Sequence, residues 1–269
     1  MTPTSERPKR FEGHRFAQVI PEPDDVQAGA PAPWAALPDA KRSSLTLQMV
    51  TSSLRAAHRL VATNPPPDQP EELLIVADSQ PVPITLRSAV LVALFEEEGE
   101  AHVILTRRAL SLRHHRGEIA LPGGRSEGNE TATATALREA KEEIGLDPNL
   151  VAPIGWLSPI VTFASGSSIW PIVGLIAERP QLRIDPAEVD RVFAVTLKEL
   201  ASEGAFVEER WRRSAPRLGA DEDGYFPIQF FRVPDDVIWG ATARVLTELL
   251  CLVTGVPRPG VRGLSGDPS

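Results

Sequence analysis

From Ser44 onward, apolar residues recur at three- and four-residue steps: Leu47, Val50, Leu54, Ala57 and Val61. The spacing predicts one amphipathic helix, ended by Asn64-Pro65-Pro66-Pro67. Residues 73–77 and 89–95 are short β-rich runs bounded by turn signals, and read as strands. Residues 96–100 form a polar hairpin turn and 102–106 the returning strand, after which 107–129 read as a long loop containing Arg, His and Gly. A helix is expected over 130–144, with Gly145 placed for a left-handed cap. Further strands are expected near 154–157, 169–176, 191–195 and 226–232, and a last helix over 238–253.

This pattern divides the chain. Residues 1–43 are rich in Pro, Ala and charge without a sustained apolar period, and read as mostly extended or mobile, with Trp34 docking locally. Residues 44–85 hold the N-terminal helix and a short strand, 86–254 the main domain, and 255–269 a loose tail. No repeat at solenoid or propeller periods is present.

Composition changes the picture in three ways. With 42% apolar and 24% charged residues, and a middle rich in Val, Ile and Leu, the chain is not low-complexity disorder. A net charge of −8 speaks against a general nucleic-acid binder, although small anionic substrates respond to local charge. The single cysteine, Cys251, lies in an apolar helical run and reads as a buried reduced thiol. The longest clean apolar stretch is 89–95, too short to cross a bilayer, and no apolar core follows the basic Arg7, Lys9 and Arg10. The expected location is the cytoplasm.

The chemistry gathers between Gly124 and Leu146. At 100° per residue, Glu139, Glu142 and Glu143 fall within one arc of about 100°, next to the apolar arc of Ala136, Leu137, Ala140 and Ile144. Three carboxylates at the rim of a buried face repel one another unless a cation sits there, and Mg²⁺ or Mn²⁺ is suited to oxygen ligands. Arg138 reaches Glu142 at i, i+4 and can orient it from behind. A run of this kind is more often a plain solvated helix face. Its surroundings change that: Gly124, Glu130, Arg138-Glu139, Glu142-Glu143 and Gly145 stand at fixed intervals. Seven such positions at roughly 1 in 15 each agree by chance on the order of 10⁻⁸ times per window.

That spacing resembles the signature of the Nudix hydrolases. The resemblance implies an α/β fold, a mixed β-sheet sandwiched between helices, here with an N-terminal extension containing one helix. It also implies metal-dependent cleavage of a nucleoside diphosphate linked to another group. By position, Glu139, Glu142 and Glu143 resemble the metal ligands, Gly124 the backbone carbonyl that joins them, and Glu130 an accessory carboxylate near the metals. Glu143, or a loop carboxylate such as Glu188, fills the role of general base. A homodimer is expected on the resemblance alone.

Upstream, Arg107, Arg108, Arg113 and Arg116 cluster with His114 and His115, a cation excess suited to an anionic substrate. The order Ile104-Leu105-Thr106, Arg108-Ala109, Arg113, Gly117, Leu121-Pro122-Gly123-Gly124 resembles the extra motif of coenzyme A pyrophosphatases. It departs at Ile104, where the motif has Leu, and at Leu121, where it has Phe. On this resemblance Arg108, Arg113 and Gly117, with Arg107, recognise a CoA-like nucleotide, and one of the four arginines is expected to pair with the helix carboxylates. Loss of the aromatic ring at Leu121 leaves room for other substrates: ADP-ribose, NADH, a dinucleotide polyphosphate or an oxidised nucleotide. A nucleotide-binding domain without turnover is the remaining alternative.

Overall fold

The computed structural model describes residues 18–57, 59–60, 86–162, 167–212 and 220–258. The chain runs through β1 (Asp25–Ala28), α1 (Asp39–Arg42), α2 (Leu47–Ala56), β2 (Leu86–Glu97), β3 (Glu100–Arg108), β4 (Ile119–Ala120), β5 (Gly123–Arg125) and α3 (Ala132–Ile144). It continues through β6 (Val151–Trp156), β7 (Ile160–Thr162), β8 (Ser167–Ile176), β9 (Val189–Thr196), α4 (Leu197–Ala201), β10 (Phe206–Arg212), β11 (Tyr225–Val233), β12 (Asp236–Trp239) and α5 (Gly240–Thr254).

Eight strands form one mixed sheet in the order β4-β3-β2-β8-β6, with β5 on β2, β7 on β8 and β9 on β3. β2 and β8 run parallel; β3, β5 and β9 pair antiparallel with their neighbours. The apolar run of β2 is continuous because both of its faces are covered. Ala89, Leu91, Ala93 and Phe95 point toward Ala136, Ala140 and Ile144 of α3. Val92 and Leu94 point the other way, into a core shared with Val50 and Leu54 of α2 and Leu246, Leu249 and Leu250 of α5. The sheet is therefore sandwiched between helices, as the resemblance implies. The β2–β3 hairpin turns on Glu98 and Gly99, whose φ angles of 54° and 77° match the twist of the two strands.

Several boundaries differ from the sequence reading. The first helix stops at Ala56 rather than beyond Val61; Leu60 has left it to bridge Gly155 on β6. The expected strand at 73–77 lies outside the described residues. The loop over 107–129 contains β4 and β5, which pair with β3 and β2. Ile238 belongs to β12, and the last helix begins two residues later.

The larger correction concerns the ends. Within the segment read as mostly extended or mobile, β1 pairs with β10 in a second sheet, β1-β10-β11-β12. Trp34 is fully buried there, its indole N–H donating to the Ala201 carbonyl at 3.1 Å and its ring lying parallel to Phe231. An aromatic of that size removes enough apolar surface from water to order a Pro-rich segment. The tail read as loose starts anchored: the Val256 N–H donates to Cys251 O, and Arg258 pairs with Glu248. Among the described residues no helix is long and apolar enough to cross a membrane.

Candidate active site

Two glycines carry the chain from the core to α3. The Pro122 carbonyl accepts from the Leu91 N–H at 2.7 Å, and β5 then lies on β2. Gly123 has φ 155°, and a Cβ there would stand 2.3 Å from the Ala89 carbonyl. A Cβ on Gly124 would lie 2.5 Å from the carboxylate of Glu139. The strand and the helix thus approach as closely as a missing side chain permits. Thr131 caps α3, its hydroxyl accepting from the Ala134 N–H, and Gly145 closes it at φ 66°.

Glu143 is 3% exposed. The Gly123 N–H donates to its Oε2 at 3.0 Å, and Arg108 Nη1 lies 3.6 Å from its Oε1. Burial pushes its pKa up to about 7, with the nearby charges of Glu139 and Glu188 adding to the rise while the Gly123 N–H and Arg108 oppose it. Glu139 is raised too, first by burial and then by Glu142 and Glu188, against the pull of Arg138. Glu188 thus lies near enough to both carboxylates for its charge to act on them. Its backbone carbonyl accepts from the Ala109 N–H at 2.8 Å, which ties it to the strand bearing Arg108.

Arg138 organises the remainder. Its Nε donates to Glu130 Oε1 at 2.8 Å, its Nη1 to Glu142 Oε2 at 2.8 Å and its Nη2 to the Arg125 carbonyl at 2.8 Å. Nη2 also lies 3.1 Å from Glu139 Oε1. Glu130 receives further bonds from the Glu127 N–H and the Thr135 hydroxyl. These donors, Arg138 foremost, hold its carboxyl down at about 2. So bonded, Glu130 positions Arg138.

The upstream cluster separates by strand parity. Arg108 points to the α3 face, and its buried Nε has no hydrogen-bond partner among the described residues. Arg107, one residue earlier, points to the opposite face. There its Nε donates to Asp190 Oδ2 at 2.7 Å, and its Nη1 lies 3.7 Å from Asp236. Arg191 joins the same buried Asp236 at 2.5 Å. Arg107 is thus committed to an internal network, and its expected substrate contact is withdrawn. Gly117 has φ 69° and donates its N–H to the Arg108 carbonyl at 3.1 Å, so it shapes the loop. Arg113 and His114 are exposed, and His115 pairs with Glu118 at 3.1 Å. Asp190 and Asp236 were missed, because an acidic residue at a strand end carries no sign of its partner.

Carboxylate oxygens and a backbone carbonyl are hard donors suited to a divalent cation, and the Gly124 cradle brings that carbonyl's residue against Glu139. Among the described residues no three acidic, His or Cys side chains converge into a ready-made metal cage, because Arg138 draws Glu142 and Glu139 toward itself. The donors fit a metal in kind. Gathering them around an ion would require Glu142 to give up Arg138.

The NUDIX domain family model matches residues 85–215. Nudix hydrolase 22, chloroplastic, of Arabidopsis thaliana is 35% identical over 173 residues, covering 62% of this chain and 55% of its own length. Nudix hydrolase 3 of Caenorhabditis elegans is 31% identical, covering 61% of this chain and 72% of its own. The NudL Nudix hydrolase of Photorhabdus laumondii is 34% identical, covering 55% and 74%. The chain therefore spans little more than half of the plant relative and close to three quarters of the other two.

Proposed function

The chain belongs to the Nudix hydrolase family, and we propose that it cleaves CoA or acyl-CoA at the diphosphate, giving 3′,5′-ADP and (acyl-)4′-phosphopantetheine. The observation that carries this reading is Arg108, held 3.6 Å from Glu143 with its Nε unpartnered among the described residues. A guanidinium whose side chain stays 28% exposed beside a carboxylate cluster is suited to hold a phosphate oxygen there. The upstream motif containing Arg108 supports CoA in particular. Its departure at Leu121 bears little on a pocket, since that side chain is 3% exposed and packs in the core beneath α5.

Glu139, Glu142, Glu143 and the Gly124 carbonyl are the groups that would hold Mg²⁺ or Mn²⁺. When bound, such an ion neutralises diphosphate charge and makes a water easier to deprotonate. The side chains do the remainder. Arg108 grips and orients the diphosphate, Arg138 and Glu130 fix the spacing of the helix carboxylates, and a carboxylate oxygen of Glu188 takes the proton of the attacking water.

The withdrawal of Arg107 from the site favours a second reading, in which the same carboxylates serve another nucleoside diphosphate derivative such as ADP-ribose or NADH. A product assay separates the two. Purified protein with CoA and Mg²⁺ at mildly alkaline pH is expected to yield 3′,5′-ADP and phosphopantetheine, resolved by mass, while a Glu142→Gln control yields neither. Intact CoA alongside cleaved ADP-ribose or NADH would overturn the CoA assignment. No turnover on any of them would point to a nucleotide-binding domain instead.

A further inference from the structure

The segment that leads into β9 is bonded to the end of α3. Leu182 and Ile184 pack into the apolar cluster beneath α3, while Arg183 and Asp185 alternate with them and are exposed. The Arg183 and Asp185 N–H groups donate at 2.9 Å each to the Ile144 and Glu143 carbonyls. Those carbonyls belong to the set that a helix leaves unpaired at its C-terminus. Glu143 thus meets this segment through its backbone, while its carboxylate lies against Gly123 and Arg108.

Asp185 is the hub of the turn that follows. Its carbonyl accepts from the Glu188 N–H at 3.1 Å and the Val189 N–H at 2.8 Å, and its Oδ1 accepts from the Ala187 N–H at 2.9 Å. Pro186 between them has no N–H and a fixed φ, a combination that favours an aspartate side chain closing the turn. Each backbone N–H from Asp185 to Val189 thereby has an acceptor. On the far side the Glu188 carbonyl accepts from the Ala109 N–H at 2.8 Å, next to Arg108. Asp185 forms no ion pair among the described residues, so the turn uses its oxygen rather than its charge.

We propose that Asp185 is a positioning residue for the hydrolysis: its turn holds Glu188 at a fixed reach between the end of α3 and the strand that carries Arg108. The role rests on Glu188 as the acceptor of the water proton. Glu188 is exposed, so its place is set by the bonded backbone on either side of it rather than by burial of its side chain. A proton acceptor works only within hydrogen-bond reach of the water, and a displacement of about 1 Å costs up to about 100-fold in rate.

Backbone amide exchange of the full chain and initial rates at saturating Mg²⁺ test this together, the rates being read with CoA, or with ADP-ribose or NADH where CoA stays intact. Asp185→Ala is expected to speed exchange over residues 187–189 about tenfold while α3 keeps its protection. It is also expected to lower kcat about tenfold with KM within about twofold. Asp185→Asn keeps the acceptor oxygen and should restore both properties. Added to Glu188→Gln, Asp185→Ala should cost less than about twofold more, because nothing is left for it to place. Wild-type exchange or full kcat in Asp185→Ala, an equal loss in Asp185→Asn, or a full additional loss in the double variant would each overturn the positioning role and leave Glu188 as the acceptor. Full kcat in Glu188→Gln alone would refute the acceptor, and the role of Asp185 with it.

Discussion

Glu143 sets burial against ionisation. In the metal-free protein its carboxyl is pushed up to about 7, mainly by desolvation, from a usual value near 4.5. The unfolded chain therefore releases this proton first, so stability falls as pH rises from about 4.5 through 7 and stays low above that. Replacing Glu143 with Gln removes the ionisation and can preserve an acceptor for the Gly123 N–H. Urea unfolding with chelator at pH 8 is expected to find Glu143→Gln more stable than wild type by about 1–3 kcal/mol, with the gap closing below pH 4.5. An unchanged or reduced stability at pH 8 would refute that ledger. Arg107 and Arg108 offer a contrast that residue type alone hides. Residue type marks both as substrate-binding arginines, and strand alternation sends them to opposite faces. Arg108→Gln should lower kcat/KM for the diphosphate substrate by about 10- to 100-fold with little change in unfolding midpoint. Arg107→Gln should cost roughly 1–2 kcal/mol of stability and leave kcat/KM within about twofold.

At the scale of the element, α3 was the most legible part of the chain. Its apolar stripe, its Thr131 cap and its Gly145 stop all agree, so local sequence and tertiary packing demand the same helix. The elements that escaped were those whose local signal conflicts with their setting. β10 carries Glu208, Glu209 and Arg210 at its centre, which conceals the alternation; Glu209 is buried and accepts from the Trp211 indole N–H at 2.7 Å. β1 and α4 are four and five residues long, below the length at which a period can be read. The β5–α3 junction carries a prediction of its own. Gly124 has an ordinary backbone conformation, so Ala is tolerated by the chain, but its Cβ would meet the Glu139 carboxylate at 2.5 Å. That carboxylate is the far end of a flexible side chain and can swing away. Gly124→Ala should therefore fold normally, yet need about 10- to 100-fold more Mg²⁺ for half-maximal metal-induced stabilisation in thermal melts. Wild-type Mg²⁺ dependence would separate Gly124 from the metal site.

Across the whole molecule, the large sheet and its helix carboxylates follow from pattern and motif, whereas the second sheet does not. Its strands are held by contacts distant in sequence: Trp34 on Phe206 and Phe231, and Asp236 on Arg107 and Arg191. Such pairings are invisible to periodicity, because each partner alone is an ordinary aromatic or charged residue. Asp236 has a consequence for the site, since it ties the second sheet to the start of β9, next to Glu188, and to the strand that carries Arg108. The proposed cleavage depends above all on the α3 carboxylates holding a divalent cation. The most direct measurement is initial-rate turnover of CoA against Mg²⁺ concentration, after chelator treatment, for wild type and Glu142→Gln. Glu142 is exposed and bonded only through Arg138 among the described residues, so its replacement leaves the core intact. Wild type is expected to show no turnover without metal and a saturable rise with Mg²⁺, and Glu142→Gln to lose at least about 100-fold in kcat. Near-normal kcat for Glu142→Gln at saturating Mg²⁺, or wild-type turnover that ignores the metal, would contradict it.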